Sequence, residues 1–295
     1  MMSDKDIEEY HNIGKKTKIK KLRVLSLGAG VQSTALALMI AKGEVPMVDF
    51  CVFADTQGEP DYIYKHLKWL EKELPYRLII ASKGDLTDNC LRALSGEKKT
   101  KDGSSLSGSA IPFYITKKDG KKGMGIRQCT ASYKVETIMK VVRKELGYEK
   151  GQHVKKDVKV EMLLGISQDE VYRVKNSRYH YVTHEYPLID KKLSRKNCID
   201  WIKKFNYPIP ERSACYYCPY HSDNYWLWLK NNHLKEFEKA VEFDKQIRIK
   251  NKVLRGTPYV HKSRKPLGEV DFNKKEDKQL DFFNDHCEPE GGCGV

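Results

Sequence analysis

The stretch from Val24 to Leu38 (VLSLGAGVQSTALAL) narrows the folds open to this chain more than any other segment. An apolar run turns on Gly28-Ala29-Gly30 and continues into a segment rich in Ala and Leu, the order of a buried strand, a tight turn and a helix. Glycine permits positive φ at such a turn, and the backbone comes close to a ligand where no Cβ intervenes. The first N–H groups of the helix lack intrahelical partners, and its dipole adds positive potential. Ser33 and Thr34 add hydroxyls at the same end. The guest this spacing favours is a phosphate or pyrophosphate, although an ordinary strand–helix turn has the same outline.

A second apolar run, Val48 to Ala54, leads into Asp55-Thr56-Gln57-Gly58-Glu59-Pro60 and then a helix over about 61–74. Further strands are expected near Arg77–Ala81, Glu161–Gly165 and His180–His184, with helices between. Alternating strands and helices imply a doubly wound, mostly parallel α/β sheet. Such sheets bind ligands at the carboxyl ends of their strands. Asp55 therefore falls on the same edge as the Gly28 turn, where it can hold a ribose hydroxyl, a metal or a water.

These residues carry a resemblance. Ser33-Thr34 after a glycine turn, with Asp-Thr-x-Gly-Glu-Pro on the next strand, resembles the PP-loop ATP pyrophosphatases. The closer likeness is to the branch related to phosphoadenosine-phosphosulfate (PAPS) reductase, which includes uncharacterised phage-encoded members. The likeness runs in patches from about Arg23 to Tyr220. It implies an adenine nucleotide on the first turn, with Ser26, Gly28, Gly30, Gln32, Ser33, Thr34, Asp55 and Gly165 as the binding set. It also implies ATP with Mg2+ as the reactant, and adenylation of an acceptor with release of pyrophosphate. Within the family the reductases use the nucleotide as a sulfonate carrier instead, so a thiol-dependent sulfonucleotide reductase is the alternative. The family's loop reads Ser-Gly-Gly-x-Asp-Ser, whereas Gln32 here stands where the acid is expected. A neutral amide binds Mg2+ less well than a carboxylate. That change fits a third reading, a nucleotide-sensing or nucleic-acid-binding protein with structural zinc.

Cysteines form the second constellation. Cys215-Tyr-Tyr-Cys218-Pro219 offers two thiols from a tight turn, suited to a metal or a redox pair. Cys129 precedes an expected helix over 132–146 and lies beside Arg127, a setting that favours the thiolate and suits a ligand or a nucleophile. In similar sulfur-handling proteins, three cysteines distributed like Cys129, Cys215 and Cys218 hold an iron–sulfur cluster. Cys198 or His221 is the available fourth ligand, and four protein ligands suit zinc equally well. Cys51 and Cys90 read as small buried hydrophobes. Cys287 and Cys293 in the tail only superficially resemble the reductase's C-terminal cysteine. The expected catalytic residues are Asp55, Cys129 and Arg173, with Arg173 or Lys134 neutralising a leaving pyrophosphate.

Composition sets the outer limits. The chain has 295 residues, 40% of them hydrophobic, enough for one α/β core and an appended subdomain. No apolar run approaches the roughly 18 residues of a membrane span, and no signal-peptide core is seen, so a cytoplasmic protein with no membrane partner is expected. A formal net charge of +14 favours anionic partners, an adenine nucleotide and a nucleic acid acceptor among them. The expected organisation is a basic arm over 1–20, a nucleotide-binding domain over 21–190 with a long loop at about 95–125, a helical subdomain over 191–270, and a tail over 271–295. In the helical part, Ser194 is an expected N-cap for a helix through Lys204. Ser222 caps a second helix with an aromatic stripe from Trp226 through Phe243. Oligomeric state is not legible in the sequence.

Overall fold

The computed structural model describes residues 20–97 and 109–272. Residues 1–19 of the basic arm, residues 98–108 of the Gly/Ser/Lys-rich loop, Cys287 and Cys293 lie outside these residues.

Five strands build the central sheet: β1 (Lys21–Leu27), β2 (Phe50–Asp55), β3 (Arg77–Ser82), β6 (Lys159–Leu164) and β7 (Val182–Glu185). Their order is β3-β2-β1-β6-β7, and every pairing is parallel. Alternation along the strands divides the core in two, because successive side chains point to opposite faces. Leu25, Leu27, Cys51, Phe53 and Leu163 meet one face, covered by α1 (Val31–Ala41), α2 (Asp61–Glu73), α5 (Pro187–Asp190) and α6 (Arg195–Lys204). Val24, Phe50, Val52, Met162 and Leu164 meet the other, covered by α4 (Glu136–Glu145). The sheet is doubly wound, as the alternating pattern implies. Its switch point lies between β1 and β6, whose connections leave toward opposite neighbours.

A third core joins α3 (Leu86–Leu94) to α7 (Asp223–Asn232) and α8 (Leu234–Lys250) through Leu86, Ile111, Phe113, Tyr217, Trp226 and Phe243. Here the organisation departs from the expected one. Part of the anticipated loop at 95–125 is regular: β4 (Tyr114–Lys117) and β5 (Lys122–Met124) form a hairpin that pairs antiparallel with β8 (Gly256–Tyr259). A glycine with φ of 78° at Gly120 closes the hairpin, which the run Lys-Lys-Asp-Gly-Lys-Lys encodes locally. The C-terminal helices α7 and α8 share the third core, whereas the first helix after residue 191, α6, packs on the sheet. Cys198 and Ile202 of α6 belong to the sheet's own core, and the third core draws on residues from 86 onward.

Ser194 caps α6 as expected, accepting from the Asn197 N–H at 3.2 Å while the Asn197 side chain accepts from the Ser194 N–H at 2.9 Å. Ser222 likewise caps α7. The expected single aromatic helix is two, broken at His233 where the backbone leaves the helical region (φ −140°, ψ 58°). Both pieces keep their apolar residues in the third core, so the stripe survives the break. Among the described residues no helix is long and apolar enough to cross a membrane.

Candidate functional site

The carboxyl ends of β1, β2 and β6 converge on the turn between β1 and α1. Its left-handed residue is Ala29 (φ 57°) rather than either glycine, contrary to the sequence expectation. Gly30 is extended (φ −92°, ψ −179°), a conformation open to any residue. What Gly30 provides is space, since a Cβ built there meets nothing within 4 Å. The open ground lies before the first turn of α1, which carries no acidic residue to offset its dipole. The first N–H of that turn to find its helical carbonyl is Thr34, bonded to Gly30 O at 2.9 Å.

The two hydroxyls of the turn serve different ends. Ser33 Oγ donates to Gly30 O at 3.2 Å, beside the turn. Thr34 is fully buried and its Oγ1 lies 3.0 Å from Nε2 of His66 on α2, so its hydroxyl braces the helix and does not face the turn. Burial lowers the His66 pKa to about 4, so the ring is neutral. Ser26 is buried inside β1, between Val52 and Leu164 of the flanking strands.

The β6 side is packed tightly onto this turn. A Cβ at Gly165 would come within 2.7 Å of Ser33 Cα and 2.8 Å of Ser33 N, so only glycine fits without moving α1. Beyond Gly165, the turn Gln168–Arg173 reaches Gln32, whose Nε2 donates to Glu170 Oε2 at 3.2 Å and to Ser167 Oγ at 3.4 Å. Gln32 Oε1 accepts from Arg195 Nη1 at 3.1 Å, and Glu170 Oε1 pairs with Arg173 Nη1 at 2.8 Å. Gln32 is thus the middle of a chain running from Arg195 to Arg173. Arg195 was not among the residues singled out in the sequence. The only signal for Arg195 was the Ser194 cap, which fixes where α6 begins.

On the β2 side, Asp55 Oδ1 accepts from the Gln57 N–H at 2.7 Å and from the Tyr64 hydroxyl at 2.9 Å. Burial, reinforced by the Asp55 charge, raises the Tyr64 pKa and keeps the phenol protonated as a donor. The loop that follows is where the cysteine motif docks. Thr56 Oγ1 is 3.2 Å from Cys215 Sγ, and Gly58 O accepts from the Tyr216 N–H at 2.9 Å. A Cβ at Gly58 would come within 2.5 Å of the Tyr217 ring. Glu59 accepts from Ser213 Oγ at 3.2 Å and pairs with Lys134 at 3.7 Å, which occupies one of the two cations expected at the phosphates.

Cys129, Cys215 and Cys218 all pack on the third core. Cys198 does not join them: it lies between α6 and α1 in the sheet's core, where burial raises its pKa to about 12. His221 is the better placed of the two fourth-ligand candidates. Its Nε2 lies 2.9 Å from Cys215 O, and because a carbonyl only accepts, the proton sits on Nε2. Burial, then Arg212, lowers the His221 pKa, so the ring is neutral and Nδ1 is a buried lone pair with no hydrogen-bond partner. Even so, among the described residues no three His, Cys, Asp or Glu side chains are grouped to hold one metal ion.

A cavity of about 450 Å³ adjoins the β6 exit, between α4, β6 and residues 172–179. Met139, Met162 and Ile166 give it an apolar floor, and Arg127, Arg173 and Arg178 a cationic rim. Nothing local in the sequence marks this space, since its walls come from four separated segments.

No family model matches the chain, and no curated protein does. Among solved structures it is similar to phosphoadenylyl-sulfate (PAPS) reductase from Candida auris in its phosphate complex, at 16% sequence identity and a TM-score of 0.38, covering 72% of this chain and 91% of that chain.

Proposed function

We propose that the chain is an enzyme that binds ATP with Mg2+ at the β1–α1 turn and adenylates an acceptor, releasing pyrophosphate. The observation that carries this reading is the open backbone at Gly30, set before a helix N-terminus with no acidic residue in its first turn and located at the switch point of the sheet. The phosphates lie over the N–H groups of Val31, Gln32 and Ser33. The acceptor attacks the α-phosphorus and the bond to the β-phosphate oxygen breaks, so negative charge accumulates on pyrophosphate. Arg173 and Arg195 flank that charge from the two ends of the Gln32 chain. Asp55, held by Tyr64 and the Gln57 amide, orients the Mg2+-bound nucleotide from the β2 side. The neighbouring cavity is within the range of small-molecule sites, about 300–1,000 Å³, and its apolar floor suits a base.

Cys129, Cys215 and Cys218 are assigned the sulfur or redox part of the function. The support for this is the seating of Cys215 against Thr56, one residue beyond Asp55. The adenylation steps involve none of the three thiols, and no step is routed through a metal at them. The test pairs calorimetric titration of ATP and Mg2+ with a pyrophosphate-release assay across candidate acceptors, including single-stranded nucleic acid. Binding with release supports adenylation. Binding without release under every acceptor leaves a nucleotide-sensing role, and absence of binding removes the reading.

A further inference from the structure

We propose that Ser263, activated by His261 and Asp223, is a nucleophile that takes the acyl group of an acyl phosphate and passes it to water, an activity independent of the ATP reading. The three residues meet where the turn after β8 touches the start of α7. The Ser263 N–H donates to His261 Nδ1 at 3.1 Å, so Nδ1 holds the lone pair and Nε2 the proton. Nε2 then donates to Asp223 Oδ1 at 2.9 Å. Ser263 Oγ lies 2.7 Å from Nδ1, and toward a lone pair its hydroxyl is the donor. Hydroxyl, imidazole and carboxylate therefore stand in the order a base-activated serine requires, with Nδ1 facing the hydroxyl in place of the more usual Nε2. The segment is clamped at both ends. Buried Asp244 of α8 accepts from the Val260 N–H at 2.8 Å and from the Leu267 N–H at 2.9 Å. Between them Arg264 is held left-handed (φ 57°), uncommon for a long side chain, while its Nη2 donates to Gly123 O of β5 at 3.2 Å. His261 is 2% exposed and meets Phe272 edge to face, whereas Ser263 is exposed. The base is shielded and the nucleophile is open to substrate. Lys262, Arg264 and Lys265 flank Ser263 in the chain, which favours a donor with an anionic leaving group.

In the first step Ser263 Oγ attacks the carbonyl carbon and its proton passes to Nδ1. The bond from that carbon to the phosphate oxygen breaks, and phosphate leaves with the electron pair and the proton from Nδ1. Water then gives a proton to Nδ1 as it attacks the acyl-serine, and Oγ leaves with that proton. One water is consumed, and a carboxylic acid and phosphate are released. The probe is acetyl phosphate, incubated with the full chain and quenched in acid. Mass spectrometry reads acetyl on the peptide carrying Ser263, and loss of acetyl phosphate reads turnover. The expected product is an acetyl ester on Ser263 that hydroxylamine removes, whereas acetyl amides formed on lysines resist it. Ser263→Ala, at an exposed position, should lose both the ester and the turnover. His261→Gln should slow turnover by at least about 100-fold. Asp223 is a positioning residue, so Asp223→Asn should slow turnover by at least about tenfold and Asp223→Glu should recover part of it. A purely structural tie between the turn and α7 predicts no ester at Ser263 in any variant. Acetyl confined to lysines, or Ser263→Ala turning over as fast as the wild type, overturns the proposal. Should His261→Gln not fold, the comparison of wild type with Ser263→Ala still decides.

Discussion

At the scale of single residues, three glycines at the site differ in what surrounds them: Gly30 faces open space, whereas Gly165 and Gly58 are closed in by Ser33 and Tyr217. Gly30 faces open space and has a φ available to any residue, so Gly30→Ala should leave stability unchanged to within about 0.5 kcal/mol. Gly30→Val should fold but lose ATP, since its branched side chain fills the ground over the helix N-terminus; unchanged calorimetric affinity would remove the phosphate turn as the site. Gly165→Ala should behave in the opposite manner. Its Cβ meets backbone atoms of Ser33, so urea unfolding is expected to show a loss of about 1–3 kcal/mol, with ATP weakened as α1 shifts. Gly58 is filled from the other side by Tyr217, a packing requirement that ties the cysteine segment to the β2 loop. Asp55→Asn keeps an acceptor for Gln57 and Tyr64 but deletes the charge. Pyrophosphate release should fall by at least about 100-fold, on the order of 2.7 kcal/mol, with nucleotide affinity much less affected. An Asn variant as fast as wild type would end the role of that charge. The glycines themselves were legible in the sequence, but their reasons were not, because clearance around a Cβ depends on chain segments more than a hundred residues away.

At the scale of elements, α6 shows how a local signal acquires a distant consequence. Its capping box is written in Ser194 and Asn197, and it fixes the first helical residue, Arg195, whose N–H donates to Asp169 at 3.1 Å and whose guanidinium reaches Gln32. Ser194→Ala should cost about 0.5–2 kcal/mol in a denaturant titration. If Arg195 serves the phosphates, the same variant should also weaken ATP binding, an effect that simple cap loss at a remote helix would not produce. The hairpin β4–β5 and the break at His233 mark the limits of periodicity. Antiparallel pairing with β8 recruits a Gly- and Lys-rich segment that has little strand character of its own. A helical stripe of apolar residues reads the same across a break when both helices pack on one core.

At the scale of the whole molecule, the buried neutral histidines make stability depend on pH. His66 titrates near its ordinary 6.5 when unfolded and at about 4 when folded, and the His221 pKa is also lowered by burial. Between those values the unfolded state binds more protons, so stability rises with pH. The contribution is complete above about pH 6.5 and is lost as the pH falls toward 4. Urea midpoints measured from pH 7 to 4.5 should therefore fall, and His66→Gln should flatten the curve. A midpoint independent of pH over that window would contradict the burial of these rings. The lowered pKa of Asp223, paired with His261 at 2.9 Å, adds loss of the same sign at lower pH.

The sequence by itself determined the parallel α/β class, the strand–turn–helix at Gly28–Thr34, the strand ending in Asp55, and the caps at Ser194 and Ser222. Each of these depends on neighbours within a few residues, where periodicity and turn chemistry act directly. Tertiary structure alone decided that Thr34 braces His66, that Cys198 stands apart from Cys129, Cys215 and Cys218, and that Lys134 pairs with Glu59. It also brought Arg195, Gln32, Glu170 and Arg173 into one chain of contacts. The physical reason is that side-chain partners are set by how elements pack, and α6 and the β6 exit meet the phosphate turn across more than 130 residues of intervening chain.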